Sequence, residues 1–210
     1  MQRAKKLDVK NELNKRDFRV AVFGSARIKK GDKIYQDVFR FAKLIGKRGY
    51  DVVTGGGPGL MEAANSGHAM GDKLHRADSI GLAIKLPHEQ AMNPYVELKE
   101  RFIHFSDRLD EFMRLANVIV VTQGGIGTLL EFSFAWQLLQ VGHIEYKPII
   151  LVGTMWKKFI DWVKKYDLDK DLVSKKDFDF IYMAKNNHEA LTIIDKFHKI
   201  YLKEGKCRAL

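Results

Sequence analysis

The chain has 210 residues, 46% hydrophobic and 30% charged, which excludes a disordered polypeptide and allows a core built without disulfide or metal staples. Its formal net charge of +10 favours anionic partners, from a mononucleotide to nucleic acid, but the basic residues are scattered as on a solvated face. Cys207 is the only cysteine, so an intrachain disulfide and a cysteine-rich metal site are ruled out.

Residues 1–17 are charged throughout and lack the apolar core of a signal peptide, and no stretch reaches the roughly 18 apolar residues of a membrane span. This segment is expected to be a polar extension, and the protein cytoplasmic. A single domain is expected over residues 18–210. Phe18–Phe23 reads as a strand ending in Gly24-Ser25. A helical stripe follows through Tyr35, Val38, Phe39, Ala42 and Ile45, with Gly46 and Gly49 placed to stop it. Tyr50–Thr54 is a second strand, running into Gly55-Gly56-Gly57-Pro58-Gly59 and a helix through Met70. Ser79–Ile84 is a third strand, and Leu86–Glu100, with Pro87 and Pro94, is expected to be a loop. Arg108–Ala116 reads as a helix, Asn117–Val121 as a strand entering Gln123-Gly124-Gly125-Ile126-Gly127, and the next helix continues through Leu139. Pro148–Val152 is a fifth strand, and the remainder is expected to be helical, clearest at Met155–Lys165 and His188–Leu202. Continuous apolar strands separated by helices predict an α/β protein: a Rossmann-like open parallel sheet with helices on both faces.

In such a sheet, ligands sit beyond the carboxyl ends of the strands, where the connections turn into helices. Three of these turns carry glycine: Gly24-Ser25, Gly55–Gly59 and Gly124–Gly127. Glycine permits a sharp turn and a close approach of phosphate to backbone amides, and the following helix adds free amides and a positive dipole end. Tight turns need glycine in any case, but two dense loops, each directly after an apolar strand, point to phosphate. Neither is a Walker A motif, and neither matches Gly-x-Gly-x-x-Gly cleanly.

Glu131 and Glu62 each have two readings. Thr128-x-x-Glu131 has the form of a capping box, and Glu62 falls in the first turn after Gly59, where an acid suits the helix dipole. Alternatively, each is a carboxylate beside a phosphate-binding helix end, facing a ribose. Arg108 can hold phosphate bidentately. The seven histidines form no His-x-x-x-His pair, so no zinc site is expected, and Ser25 has no partner arrangement for a nucleophile.

Together, FGSARI at Phe23–Ile28, TGGGPGLMEAAN at Thr54–Asn65, SIGLAIKLPHEQ at Ser79–Gln90 and GGIGTLLE at Gly124–Glu131 resemble the Lonely Guy family, above all its longer bacterial members. The resemblance covers about Phe18 to Leu202. It implies hydrolysis of the N-glycosidic bond of nucleoside 5′-monophosphates, of the AMP or cytokinin riboside type, to free base and ribose 5-phosphate. It implies Arg108 and Glu131 as the catalytic pair, and a phosphate cradle of Gly124, Gly125, Ile126, Gly127 and Thr128. Gly24, Ser25, Thr54, Gly55, Gly56, Gly57 and Gly59 would complete the nucleotide pocket, with Glu62 as a further participant. It implies no cofactor, and a homodimer or larger homo-oligomer. The label lysine decarboxylase has also been attached to such proteins, but no feature marks a pyridoxal-phosphate lysine.

Two positions depart from the family pattern. Gln123 stands where the signature has proline, which frees an N–H and a φ angle. Leu109 stands where a lysine usually follows the arginine, which removes a charge near the site. These departures motivate a second reading, a nucleotide-binding protein that has lost the reaction. The net charge motivates a third, a nucleic-acid-binding module, for which a clustered basic stripe with interleaved aromatics is missing from the sequence.

Overall fold

The computed structural model describes residues 4–87, 91–168, 170 and 172–210. Eight strands form one sheet: β1 (Lys5–Lys6), β2 (Arg19–Phe23), β3 (Asp51–Thr54), β4 (Ser79–Ile84), β5 (Leu98–Phe102), β6 (Val118–Val121), β7 (Ile149–Val152) and β8 (Ile181–Ala184). Every pairing is parallel, in the order β1-β5-β4-β3-β2-β6-β7-β8. The helices are α1 (Val9–Asn14), α2 (Lys33–Lys47), α3 (Leu60–Gly71), α4 (Phe105–Leu115), α5 (Ile126–Gln140), α6 (Thr154–Val163) and α7 (Asn187–Glu204). The expected Rossmann-like parallel sheet is therefore what the chain adopts.

The period-2 geometry of a strand sorts its side chains between two cores. Val20, Val22, Val52, Val118, Val120 and Ile150 point to α2, α3 and α7. Ala21, Phe23, Val53, Ile119, Val121, Ile149 and Leu151 point to α4, α5 and α6. Both faces are covered, which is why the central strands read as largely apolar runs.

Several elements differ from the sequence reading. Residues 4–17, expected to be a polar extension, add β1 to the sheet edge beside β5 and form α1. Leu7 is buried in the second core, and the Asp8 carboxylate accepts the Asn11 N–H to start α1. β5 begins within the expected loop Leu86–Glu100 and runs to Phe102; its five residues include one lysine, one arginine and one glutamate and give no apolar alternation. β8 lies in the stretch expected to be helical, and α4 begins three residues earlier than Arg108. Gly46 does not stop α2: it sits in the last turn, where an added Cβ would collide with the His68 carbonyl of α3. The stop is Gly49, with φ of 71°. The buried stripe of α2 runs through Phe41, and Phe39 packs against its margin. Among the described residues, no helix is long and apolar enough to cross a membrane.

Candidate active site

Strand order reverses at β2: the chain proceeds outward through β3, β4 and β5 on one side, then returns to add β6, β7 and β8 on the other. The crevice beyond the carboxyl ends of β2 and β6 is thus the switch point where open α/β sheets take ligands. A cleft of about 550 Å³ opens there. Its walls are the turn after β2 (Gly24 to Arg27), the turn after β3 (Gly55 to Gly57) and the first turns of α5 (Gly125 to Thr128, with Glu131). Ala83, Ile84, Leu86, Met61 and Met92 form an apolar side, and Arg108 reaches in from α4.

The three turns are tied together. The Ser25 N–H donates to the Gln123 carbonyl (3.0 Å), and the Leu60 N–H donates to the Ser25 carbonyl (2.9 Å). The Thr122 hydroxyl donates to the Phe23 carbonyl (2.8 Å), and the Trp156 indole N–H donates to the Thr122 carbonyl (2.9 Å). A mouth cross-linked in this way is built before any ligand arrives, which reduces the ordering cost of binding.

Glu131 and Arg108 meet at the floor: Nη2 of Arg108 lies 3.0 Å from Oε1 of Glu131, and both side chains are about nine-tenths buried. Nε of Arg108 donates to the Leu82 carbonyl (2.7 Å), and its guanidinium carbon lies 5.1 Å from the Phe112 ring centroid. Burial raises the Glu131 carboxyl above the ordinary carboxylate range, and the Arg108 charge works against that rise. The capping-box reading of Glu131 is corrected: the residue before the helix is Gly125, Thr128 lies inside the first turn, and Glu131 turns to Arg108 instead.

The glycines divide by what a Cβ would meet. At Gly24 it would strike Thr122 Oγ1, at Gly124 the Thr128 side chain, and at Gly59 the Ser25 carbonyl, so the fold itself requires these three. Gly59 also holds φ of 69° and Gly56 φ of 70°. At Gly55 a Cβ would lie 2.5 Å from Arg108 Nη2, so the missing side chain makes the seat of the guanidinium. At Gly125 and Gly127 nothing lies within 4 Å. Packing does not demand glycine there, and both face the cleft.

Of the other predicted residues, Thr54, Gly59, Glu62 and Gly124 fall outside the lining and Ser25 within it. Thr54 is buried, donates to Asn65 Oδ1 (2.7 Å) and accepts the Gly56 N–H (2.9 Å). Gly59 and Gly124 lie behind the walls they shape. Glu62 is in the first turn of α3, where its carboxylate pairs with Lys30 at 2.8 Å. The Ser25 hydroxyl lines the cleft but accepts the Arg27 N–H (3.1 Å). Leu109 is buried and not part of the lining, so the residue after Arg108 is directed into the protein, one helical step of about 100° from the cleft.

Sequence reasoning passed over Arg27, Met61, Asn65, Met92 and Asn93. Arg27, Met61 and Asn65 lie inside the quoted motifs, and an asparagine amid alanines in a buried helix was the available signal for Asn65. A cluster elsewhere also contains carboxylates: Glu12, Asp17 and Asp51 lie within 4.8 Å of one another. The Arg19 guanidinium stands among them at 3.3 to 3.6 Å, so the chain supplies the cluster's cation itself.

These features define an open, doubly wound α/β protein with a preformed cleft at its switch point and a buried carboxylate–guanidinium pair on the floor. Residues 61–194 match the family model described as possible lysine decarboxylase, and the chain belongs to that family, the Lonely Guy family. Over 154 residues, 70% of the chain, it is 30% identical to the pyrimidine/purine nucleotide 5′-monophosphate nucleosidase of Escherichia coli strain K12. That match covers 33% of the nucleosidase, so the chain spans about a third of the length of the curated relatives it matches. Among solved structures, TM1055 superposes with a TM-score of 0.65 at 25% identity, covering 85% of this chain and 99% of that one. The molybdenum cofactor binding protein of Rippkaea orientalis superposes with a TM-score of 0.62 at 18% identity, covering 86% and 96%; this likeness concerns the fold.

Proposed function

We propose that the protein hydrolyses the N-glycosidic bond of nucleoside 5′-monophosphates, releasing free base and ribose 5-phosphate. The observation that carries this reading is the Arg108–Glu131 pair, 3.0 Å apart and buried beneath a cleft whose rim is the amino end of α5. The likeness to a nucleotide 5′-monophosphate nucleosidase supports it.

The phosphate lies on the free amides of Gly125 to Thr128, where the dipole of α5 favours an anion. The open space at Gly125 and Gly127 lets its oxygens approach the backbone. The Thr128 hydroxyl supplies a further donor. With the phosphate anchored, the ribose extends toward Glu131, less than two helical turns along the same helix, and the base lies against Met61, Ile84 and Met92. Cleaving the ribosyl C–N bond builds positive charge on the sugar, and a carboxylate fixed in a buried site stabilises that charge without reorganising. The Arg108 charge opposes the rise that burial imposes on the Glu131 carboxyl, and the ion pair holds that carboxyl in place. Glu131 orients the attacking water or holds the ribose hydroxyls. Binding energy from the phosphate thus positions C1′ for reaction.

A decarboxylase reading lacks its central residue, because no lysine lines the cleft among the described residues. The substrates proposed are AMP and cytokinin riboside monophosphates. The protein acts as a homodimer or larger homo-oligomer, an assignment supported by the exposed Ile126 and Leu130 on α5, one turn apart. The test is base release from a panel of nucleoside 5′-monophosphates and the matching nucleosides, measured by chromatography. Release from monophosphates and not from nucleosides is expected; binding without release from any member refutes the hydrolase.

A further inference from the structure

We propose that Asn93 is a positioning residue, a latch that fastens the β4–β5 connection onto the glycine turn after β3 and so completes the seat of Arg108. The inference rests on the catalytic reading of Arg108 and Glu131 and adds a residue that acts through them.

Asn93 is buried, although it lies on a connection between strands. Its backbone N–H donates to the Gly56 carbonyl (2.8 Å). Its side-chain Nδ2 faces three acceptors: the carbonyls of Gly56 (3.1 Å) and Gly57 (3.0 Å) and Oδ1 of Asn65 (2.9 Å). Its Oδ1 accepts the Tyr95 N–H (3.2 Å). Asn65 Oδ1 also accepts from the Thr54 hydroxyl, and Asn65 Nδ2 donates to Ser79 Oγ (2.9 Å). One polar network thus joins β3, α3, β4 and the β4–β5 connection, with each buried group satisfied by another. Such a network fixes a unique arrangement, because breaking any link strands a polar group away from water.

The network ends where catalysis begins. Gly56, whose carbonyl accepts from both the backbone and the side chain of Asn93, has φ of 70°, and a Cβ there would lie 3.3 Å from both Gly81 Cα and Met92 Cγ. The next residue back, Gly55, forms the floor under Arg108 Nη2. Met92, beside Asn93, is itself part of the cleft lining. Releasing the latch therefore frees the Gly55–Gly57 turn to move, and with it the guanidinium that orients Glu131.

The chemistry at this position is specific. Three carbonyl-type oxygens converge on Nδ2, so a donor is required there. Asn93→Asp places an oxygen against all three, whereas Asn93→Ala deletes the donor without adding repulsion. The measurements are base-release kinetics, thermal unfolding, and the titration of the Glu131 carboxyl carbon by NMR in the full chain. Both variants are expected to lose kcat by about 100-fold, the cost of a misplacement near 1 Å, with KM changing far less. The Glu131 titration is expected to move to higher pH, because burial remains while the Arg108 charge recedes. Asn93→Ala is expected to stay folded, and it decides the question should Asn93→Asp fail to fold. Wild-type kcat in Asn93→Ala, or a loss of kcat with an unmoved Glu131 titration, overturns the latch. If the wild-type protein releases no base, the hydrolase reading falls separately, and the Glu131 titration in Asn93→Ala still decides whether Asn93 seats Arg108.

Discussion

Gly55→Ala perturbs the proposed catalytic pair with a single methyl group. The φ of Gly55 is not among the positive ones, so alanine fits the backbone, but its Cβ would lie 2.5 Å from Arg108 Nη2 and 2.7 Å from Met61 Sδ. Ordinary contact needs about 3.5 Å, so the guanidinium must retreat by roughly 1 Å. The 3.0 Å approach to Glu131 then lengthens to about 4 Å. With an effective dielectric constant near 20, the attraction weakens by about 1.4 kcal/mol, a factor of about ten. Misorientation of the carboxylate adds to this, so kcat/KM is expected to fall between about 10-fold and 100-fold. Because this attraction also belongs to the folded state, the unfolding temperature should fall by roughly 3–6 °C while the protein stays folded. The assay is steady-state base release alongside thermal unfolding. Wild-type kcat/KM in a folded Gly55→Ala protein would refute the claim that the Arg108 seat governs the reaction.

Three further outcomes are expected. Gly127→Ala meets no neighbouring atom within 4 Å, so it should leave stability intact and raise KM for monophosphates by obstructing phosphate; calorimetric nucleotide affinity equal to wild type would contradict this. Arg27 lines the cleft mouth with an exposed side chain. Arg27→Ala should weaken monophosphate binding by about 10-fold to 100-fold, the value of one charge-assisted hydrogen bond, while binding of the free nucleoside stays unchanged. Asp51 is pushed up to about 7, chiefly by burial, with the Asp78 N–H and Arg19 opposing. A folded-state value above the unfolded one means that the native state holds a proton the unfolded chain has released, so this group's contribution falls as pH rises from about 4 to 7. Thermal unfolding followed across that range should show Asp51→Asn losing the decline; an identical pH slope in both proteins would refute it.

The fold was legible wherever burial on both faces left its mark. β6 and β7 are unbroken apolar runs, and β2, β3 and β4 have apolar centres, because helices cover both sides of the sheet; the glycine turns after β2, β3 and β6 marked the ligand-binding end. β5 and β1 were not legible: Leu98–Phe102 pairs through its backbone while its side chains are charged and half-exposed, and Lys5–Lys6 is an edge of two exposed lysines. β8 is as short as β3, β6 and β7, but no glycine turn follows it to set it apart from the helical remainder. Within the site, Arg108 and Glu131 stood out through motif resemblance, since neither spacing nor composition brings residues 23 apart in sequence together. Asn93 was invisible because its importance lies in three carbonyl oxygens contributed by residues 56, 57 and 65. The glycines carried mixed messages. Gly124 and Gly125 are neighbours in one motif, yet the first is demanded by the Thr128 side chain and the second by nothing in the protein itself.

The most direct test of the account is a single-turnover reaction with AMP, quantifying adenine and ribose 5-phosphate for the wild-type protein and for Glu131→Gln, with nucleotide binding measured in parallel. Equimolar base and ribose 5-phosphate are expected from the wild type, and the variant is expected to bind the nucleotide but release base at least about 100-fold more slowly. Equal rates in the two proteins would remove Glu131 from the chemistry and contradict the central claim.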